Sequence, residues 1–425
     1  MGSAAFVTDG FIVPGMLAYM GAMLAVRCLS KHRVAPMLNA DSFNLFHRRR
    51  LYRALAITCA LAITVNAPAA RAEIGAGTPE RPDPHVALER TLTRIGFGSC
   101  AEGGKEQPIW QAVLAAKPEL FLFLGDNVYG DTRDMSVLRA RYAELAQQPG
   151  FAKLRNSTPL AVTWDDHDFG EDDAGGDFPQ KEASRQVFLE FWGEPADSPR
   201  RARDGVYASY VFGPPGQRVQ VILLDLRYNR TPLVKPEPGV RNYRSWAMAR
   251  HRKGLEVPGP YARNPDPAAT MLGERQWQWL ERQLETPAEL RLIGSSVQVL
   301  ADFPGWEGWS LFAHDQQRLI ETIRRKRANG VVFLSGDMHY AELSKLDVNV
   351  PYTFWDLTSS GLTEVWPAAT PNANRVSEVI REPNFGLIDI DWQGAQTMVT
   401  LSVVDQQGVR RITKQLPLAE LGVQP

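Results

Sequence analysis

Residues 119–131 read Glu-Leu-Phe-Leu-Phe-Leu-Gly-Asp-Asn-Val-Tyr-Gly-Asp. The apolar run from Leu120 to Leu124 is short, unbroken and stopped by Gly125, the pattern of a buried strand rather than of an amphipathic helix. Asp126, Tyr129 and Asp131 then follow at once. Polar groups placed directly after a buried strand fall at its carboxyl end, where ligands bind in open α/β sheets. This one stretch therefore predicts both a strand and the edge of a site.

The pattern extends in both directions. Upstream, 93–99 is strand-like and 107–116 has the helical spacing of Ile109, Val113 and Leu114. Downstream, 135–147 is helical and 160–164 is another buried-strand run. This β-α-β-α-β order predicts an α/β fold with a mixed or parallel sheet covered by helices. Strands are predicted at 206–212 and 219–224, and the Pro-, Arg- and Asn-rich stretch 231–267 reads as a long surface excursion near a site. A tryptophan-rich helix at 274–285, a strand at 290–294, a helix at 314–327 and a strand at 331–334 follow. The chain closes with a hairpin, 385–391 and 397–404, about Trp392-Gln393-Gly394. No internal repeat or low-complexity tract interrupts it, so 91–425 is expected to be one continuous domain.

Composition narrows the classes. With 44% hydrophobic and 22% charged residues in 425, a disordered or fibrous chain is excluded. Lys plus Arg (47) nearly cancels Asp plus Glu (48), and the net charge of −1 offers no electrostatic footprint for a nucleic-acid partner or an anionic membrane surface.

Residues 47–72, HRRRLYRALAITCALAITVNAPAARA, hold a basic stretch, an apolar run from Ala54 to Val65 and a small-residue end at Ala70-Arg71-Ala72. That is the layout of a secretory signal, and the run is shorter than the ~20 residues that span a bilayer. Residues 1–72 are thus expected to be an export segment cleaved after Ala72, with 73–90 a linker and the mature protein periplasmic or secreted. Arg48-Arg49 suggests the twin-arginine machinery as partner, with ordinary unfolded export as the alternative. Met37 is the expected start; the apolar stretch 11–26 leaves a membrane segment as the other reading. Of the cysteines at 28, 59 and 100, only Cys100 survives such cleavage. A metal ligand, an intermolecular bridge and simple burial are its three readings.

Polar residues recur after four apolar runs: Ser99-Cys100, Asp126 to Asp131, Asp165-Asp166-His167-Asp168, and Asp337-Met338-His339. Carboxylates gathered at one edge repel each other unless a cation neutralises them. Cys100, Tyr129 and His339 suit a transition metal, whereas Asp126, Asp166 and Asp337 suit a hard, oxygen-preferring ion. Two unlike metals sharing Asp126 is the natural picture. Taken singly, each residue has a plainer reading: Cys100 a small buried hydrophobe, Asp126 a cap, Tyr129 a core aromatic, His339 a structural histidine.

Together, GSC (98–100), FLFLGDNVYGD (121–131), TWDDHDFGEDDAG (163–175), MLGERQWQWL (271–280), LSGDMHYAEL (334–343) and TSSGLT (358–363) resemble the PhoD-type alkaline phosphatases, a branch of the calcineurin-like metallophosphoesterases. The resemblance covers roughly 93–365. It implies a four-layer α/β/β/α sandwich of two mixed β-sheets flanked by helices, with Fe3+ and Ca2+ at the sheet edge; other divalent metals are alternatives. By position, Cys100, Asp126, Tyr129 and His339 would hold the iron, and Asp126, Asp166 and Asp337 the calcium. Family members carry a β-sandwich module ahead of the catalytic domain, for which the stretch between Ala72 and the first strand leaves no room. Asp172 stands where asparagine is expected.

The implied activity is hydrolysis of small-molecule phosphoesters by a metal-bridging hydroxide. His167, beside a proposed ligand, is the candidate general acid, or else merely orients Asp166. Arg227, after the strand at 219–224, is the candidate phosphate clamp, or else pairs with Asp225 or another surface acid. Trp277 and Trp279 are expected in the core, and Trp306 and Trp309 as walls of the pocket. Two rivals remain: a phosphodiesterase or phospholipase of the same fold, acting on phospholipid or nucleotide diesters, and a non-catalytic metal- or phosphate-binding protein.

Overall fold

A computed structural model describes residues 88–236, 239–240, 242–302 and 305–422. The expected export segment, Met37, the stretch 11–26 and most of the linker lie outside the described residues. The chain runs through β1 (Arg94–Gly98), α1 (Ile109–Ala116), β2 (Leu120–Leu124), α2 (Met135–Gln147), α3 (Pro149–Ser157), β3 (Leu160–Thr163), the single turn α4 (Asp166–Phe169) and α5 (Lys181–Trp192). It continues with β4 (Ala208–Phe212), β5 (Val219–Leu223), α6 (Tyr243–Arg252), α7 (Glu274–Gln283), β6 (Leu290–Ser295), α8 (Ala313–Lys326) and β7 (Val331–Ser335). Five strands close it: β8 (Ala341–Leu346), β9 (Phe354–Ser359), β10 (Asn384–Asp391), β11 (Met398–Asp405) and β12 (Arg410–Pro417).

These strands form two mixed six-stranded sheets, ordered β12-β11-β10-β1-β2-β3 and β4-β5-β6-β7-β9-β8. In the first, β1, β2 and β3 run parallel and β1 pairs antiparallel with β10. In the second, β5, β6, β7 and β9 run parallel, with β4 and β8 antiparallel at the edges. The two-residue period of a strand explains the layering. Leu120, Leu122 and Leu124 of β2 join Val221 and Ile293 of the facing sheet in one core, while Phe121 and Phe123 pack beneath Trp110 and Phe151 of the covering helices. Trp277 and Leu280 of α7 and Leu319 and Ile323 of α8 continue the first core on the far side of the second sheet. Helices, sheet, sheet and helices thus stack as layers.

The closing hairpin is wider than expected, because β12 adds a third strand. Two other strands were not foreseen: β8 and β9 bury Glu342, Ser344, Asp356 and Thr358, so neither reads as an apolar run. Glu342 is matched by Arg375 and by Gln298 Nε2 at 2.8 Å, and Asp356 accepts from Ser335 Oγ at 2.6 Å, which removes the cost of burying them. The excursion at 231–267 is not wholly irregular; it contains α6.

Sheet pairing also dictates one close approach. Gly386 of β10 lies opposite Phe97 of β1, and a Cβ on Gly386 would sit 1.9 Å from the Phe97 ring. The ring is fully buried between the sheets and has nowhere to retreat. Gly386→Ala is expected to lower stability by about 1–3 kcal/mol through overpacking, read as a lower urea midpoint at unchanged slope.

Candidate metal centre

The site is built by backbone strain that the surrounding hydrogen bonds hold in place. Cys100 (φ 64), Asp126 (φ 48), Asp337 (φ 70) and His339 (φ 55) all adopt the left-handed conformation, which costs a non-glycine residue about 1–3 kcal/mol. Each lies just past a parallel strand: β1, β2 and, for the last two, β7. Cys100 N–H donates to Gly125 O (3.3 Å) and Ala101 N–H to Asp126 O (2.9 Å), which ties the first turn to the second. His339 N–H donates to Ser360 Oγ at 2.6 Å. Gly125 (φ 105) is obligatory, since a Cβ there would lie 2.5 Å from the Cβ of Asp165.

Asp168 fastens the third turn. Its carboxylate accepts from Asp165 N (2.7 Å), Asp126 N (3.2 Å), Asn127 Nδ2 (2.5 Å) and Tyr142 Oη (3.1 Å), linking the ends of β2 and β3. Fully buried and spent on these bonds, it holds the ligand-bearing loops rather than a ligand.

The four turns bring the expected ligands together. Donor atoms of Cys100, Asp126 and His339 lie within 4.8 Å of one another, and so do those of Asp126, Asp165, Asp166 and Asp337. Asp126 belongs to both groups. Its Oδ2 accepts from the Cys100 thiol at 3.4 Å, and Tyr129 Oη lies 3.0 Å from His339 Nε2. Cys100, Asp126 and Asp166 are buried, while Tyr129, Asp337 and His339 are half-buried. The sulfur of Cys100 is 0% exposed with its residue, which leaves no route to an intermolecular disulfide in the folded chain.

The donor set fits cations. Asp165 Oδ2 and Asp166 Oδ1 are buried without a hydrogen-bond partner, an arrangement costly to leave unmet. Burial and the neighbouring carboxylates push Asp126 and Asp337 well above the ordinary carboxylate range. Burial and Asp126 likewise raise the Cys100 thiol, and burial raises the Tyr129 phenol. Asp165 is lifted by burial to about 6 even though Arg227 pulls it down. Groups packed so that they resist ionising become ionised when a cation takes the protons' place.

His167 lies at the same edge, its Nδ1 2.6 Å from Asp131 Oδ1 and its ring 4.2 Å from that of Tyr129. Nothing in the linear pattern says which way a turn residue such as Asp131 faces, so its partner emerges only in the fold. Arg227 is not placed to clamp a phosphate: it is 0% exposed, its Nε and Nη1 donate to Asp165 Oδ1 at 2.5 Å and Glu307 Oε1 at 2.8 Å, and its Nη2 lies 3.5 Å from Asp166 Oδ1. It is paired, but with the buried acids Asp165 and Glu307 rather than with Asp225 or a surface acid; Asp225 accepts from backbone N–H groups instead. Arg227 is a positioning residue, holding Asp165 beneath the rim. Glu307 and Asp173 were missed by sequence; with Asp166 they form a further acidic group that borders the cleft.

The cleft holds about 200 Å³ and is lined by Asp166, His167, Asp172, Asp173, Glu307, Asp337 and His339 on its polar side and by Trp306, Met338 and Trp366 on the other. The expected pair of wall tryptophans divides: Trp306 lines the cleft, whereas Trp309 is fully buried against Trp277, with centroids 6.1 Å apart. Trp277 and Trp279 are in the core as expected.

The profile of the PhoD-like phosphatase family matches residues 96–400, a span that contains every candidate ligand above. The chain belongs to this family. Alkaline phosphatase D of Bacillus subtilis (strain 168) is 25% identical over 244 residues, covering 51% of this chain and 37% of that protein, so the match spans little more than a third of that relative. A solved structure of PhoD is similar with a TM-score of 0.56 at 16% identity, over 79% of this chain and 73% of the other. That likeness extends to the fold: two mixed sheets with flanking helices.

The acidic rim of this PhoD-like chain sets a pH dependence. The pKa of Asp165 in the folded state, about 6, exceeds its unfolded value of about 3.9. Between these values the native state binds more protons than the unfolded one, so stability falls as pH rises. Asp126 and Asp337 act in the same direction at higher pH. Chelator-treated protein is expected to melt lower at pH 8 than at pH 5.5, and added Ca2+ to restore most of the loss at pH 8; a melting temperature that rises with pH in chelator contradicts this.

Proposed function

We propose that the protein hydrolyses phosphoric esters with cations held at the strand ends. One observation supports this most: buried and half-buried donors gather in groups that share Asp126, and their members Asp166, Asp337 and His339 line a cleft together with His167, which itself groups with Asp126 and Asp166. On this reading Cys100, Asp126, Tyr129 and His339 hold a ferric ion, and Asp126, Asp166 and Asp337 a calcium ion. Bound there, cations supply Lewis acidity toward the phosphoryl oxygens and acidify water near neutral pH.

The chain's own residues supply the rest. Burial draws the His167 imidazole down, but Asp166, Asp126 and Asp131 outweigh it and bring the pKa up to about 12. Neutralising Asp126 and Asp166 with cations withdraws most of that support and returns the ring toward neutrality, where a general acid works best. Asp131 fixes the ring by accepting from Nδ1–H; Nε2 has no hydrogen-bond partner among the described residues and is the nitrogen from which a proton can pass to the leaving alkoxide. Arg227 keeps Asp165 in place and compensates its charge. The segment at 47–72 supports assigning the enzyme to the periplasm or the exterior.

A second reading, diester hydrolysis, is favoured by a neighbouring cavity of about 230 Å³ that shares Asp172 and Asp173 with the cleft and is lined by Arg133, Lys235 and Tyr261. It offers room for another ester arm. The deciding experiment compares p-nitrophenyl phosphate with bis-p-nitrophenyl phosphate, using protein purified without chelator and assayed with calcium. A ratio well above one makes the protein a monoesterase, the inverse a diesterase; bound metal without turnover of either overturns the enzyme reading in favour of a binding protein.

His167→Ala is expected to cut turnover of alkyl phosphates by about 10²–10⁴-fold and that of nitrophenyl esters far less, because nitrophenolate leaves unaided. Equal losses sink the general-acid role. Asp131→Asn removes a charge that supports the imidazolium, so the alkaline limb of the kcat/KM profile is expected to move to lower pH.

A further inference from the structure

The near-zero net charge conceals an uneven distribution. Between residues 244 and 263 stand Arg244, Arg250, Arg252, Lys253 and Arg263 against the single carboxylate Glu256. Most of this charge is on α6. One side of that helix is used: Ala247 is buried with Val257 and Ala368, and Tyr243, Trp246 and Trp366 pack against them in a core separate from the two large ones. Arg250 is likewise committed, lying 5.1 Å over the Trp246 ring with its Nε donating to Glu256 O.

The outer side is bare. Arg244, Ser245, Ala249, Arg252 and Lys253 are exposed at the spacing of a single helical face. Among the described residues no carboxylate pairs with Arg244, Arg252 or Lys253. Apolar side chains border this face: Val240 (45% exposed) precedes the helix, Leu255 (49%) follows it, and Val365 (40%) adjoins Trp366. These are three of the seven large hydrophobic residues that are exposed among the described residues. On its inner side the helix neighbours the cleft wall, since the ring of Tyr243 stands edge-on to cleft-lining Trp306 at 5.2 Å.

We infer that the outer face of α6, with Val240 and Leu255, docks the protein on an anionic phospholipid surface. Cations alone would suit any polyanion. Exposed apolar side chains at both ends of the basic helix favour a lipid interface, into which they can insert, over the charged phosphate backbone of nucleic acid. The aromatic rings that could stack on bases are turned inward on the third core. The inference goes beyond phosphoester hydrolysis and does not depend on it.

The test is co-sedimentation of the full chain with sucrose-loaded vesicles of phosphatidylglycerol and phosphatidylcholine, or of phosphatidylcholine alone. Each basic residue near an anionic leaflet contributes about fivefold to partitioning. Wild type is expected to bind the anionic vesicles at least tenfold better, and less so at high salt. The triple variant R244E/R252E/K253E is expected to lose at least tenfold, and Leu255→Asp several-fold. The triple variant should hydrolyse soluble p-nitrophenyl phosphate as wild type does; if wild type hydrolyses nothing, an unchanged melting temperature shows the fold intact, so failure of the enzyme reading stays separate. Equal binding to both vesicle types overturns the inference. So does undiminished binding by the triple variant, which would trace attachment to the segment at 47–72 common to both proteins. Retention on single-stranded DNA, with Leu255→Asp silent on vesicles, would assign the face to nucleic acid instead.

Discussion

Mutual repulsion among carboxylates held out of water governs this molecule. Asp126, Asp165 and Asp166 are each no more than 3% exposed and share one 4.8 Å neighbourhood with Asp337. Two unit charges 4 Å apart at an effective dielectric of 20 cost about 4 kcal/mol, so such a group persists only if compensated. Arg227 supplies part of that from below through Asp165 and Glu307, and the hydrogen bonds to Asp168 keep the turns from parting. The two stacked sheets are the rigid support: their cores fix the strands, and the strands fix where each turn begins.

Much of this was legible in the chain. The run Leu120–Leu124 announced a buried strand because five apolar residues in a row admit little else, and the four polar edges fell where buried runs stop. Strand ends made parallel by crossover helices point one way, so linear adjacency became spatial convergence. Elements carrying buried polar groups were not legible. β8 and β9 are strands by virtue of Glu342 meeting Arg375 and Asp356 meeting Ser335, partners distant in sequence. Within the site, residue type predicted the ligand groups but not orientation. Arg227 follows β5 at a strand end, where a phosphate-binding residue is expected, yet its fork turns inward to acids whose nearness depends on how the two sheets pack. Glu307 and Asp131 were silent for the same reason, each matched by a residue from another loop.

Strain and charge are arranged to oppose each other. Left-handed backbone at Cys100, Asp126, Asp337 and His339 would relax if the turns opened. The contacts that prevent it are backbone bonds between neighbouring turns and a close approach of Gly125 to Asp165 that tolerates no side chain. The donors are therefore aimed before any ion arrives, which lowers the reorganisation needed on binding.

The shared carboxylate of Asp126 carries a thermodynamic consequence. One oxygen faces the thiol of Cys100 and the other the amide of His167, so each donor group presents a different half of the same anion. Whatever occupies one half alters the electron density and rotation available to the other. If ions fill both groups as proposed, reciprocity requires that the factor by which the first changes the affinity for the second equal the factor by which the second changes that for the first. The two positions would then have no independent affinities, and the order of loading would change the path to the filled site but not its total free energy.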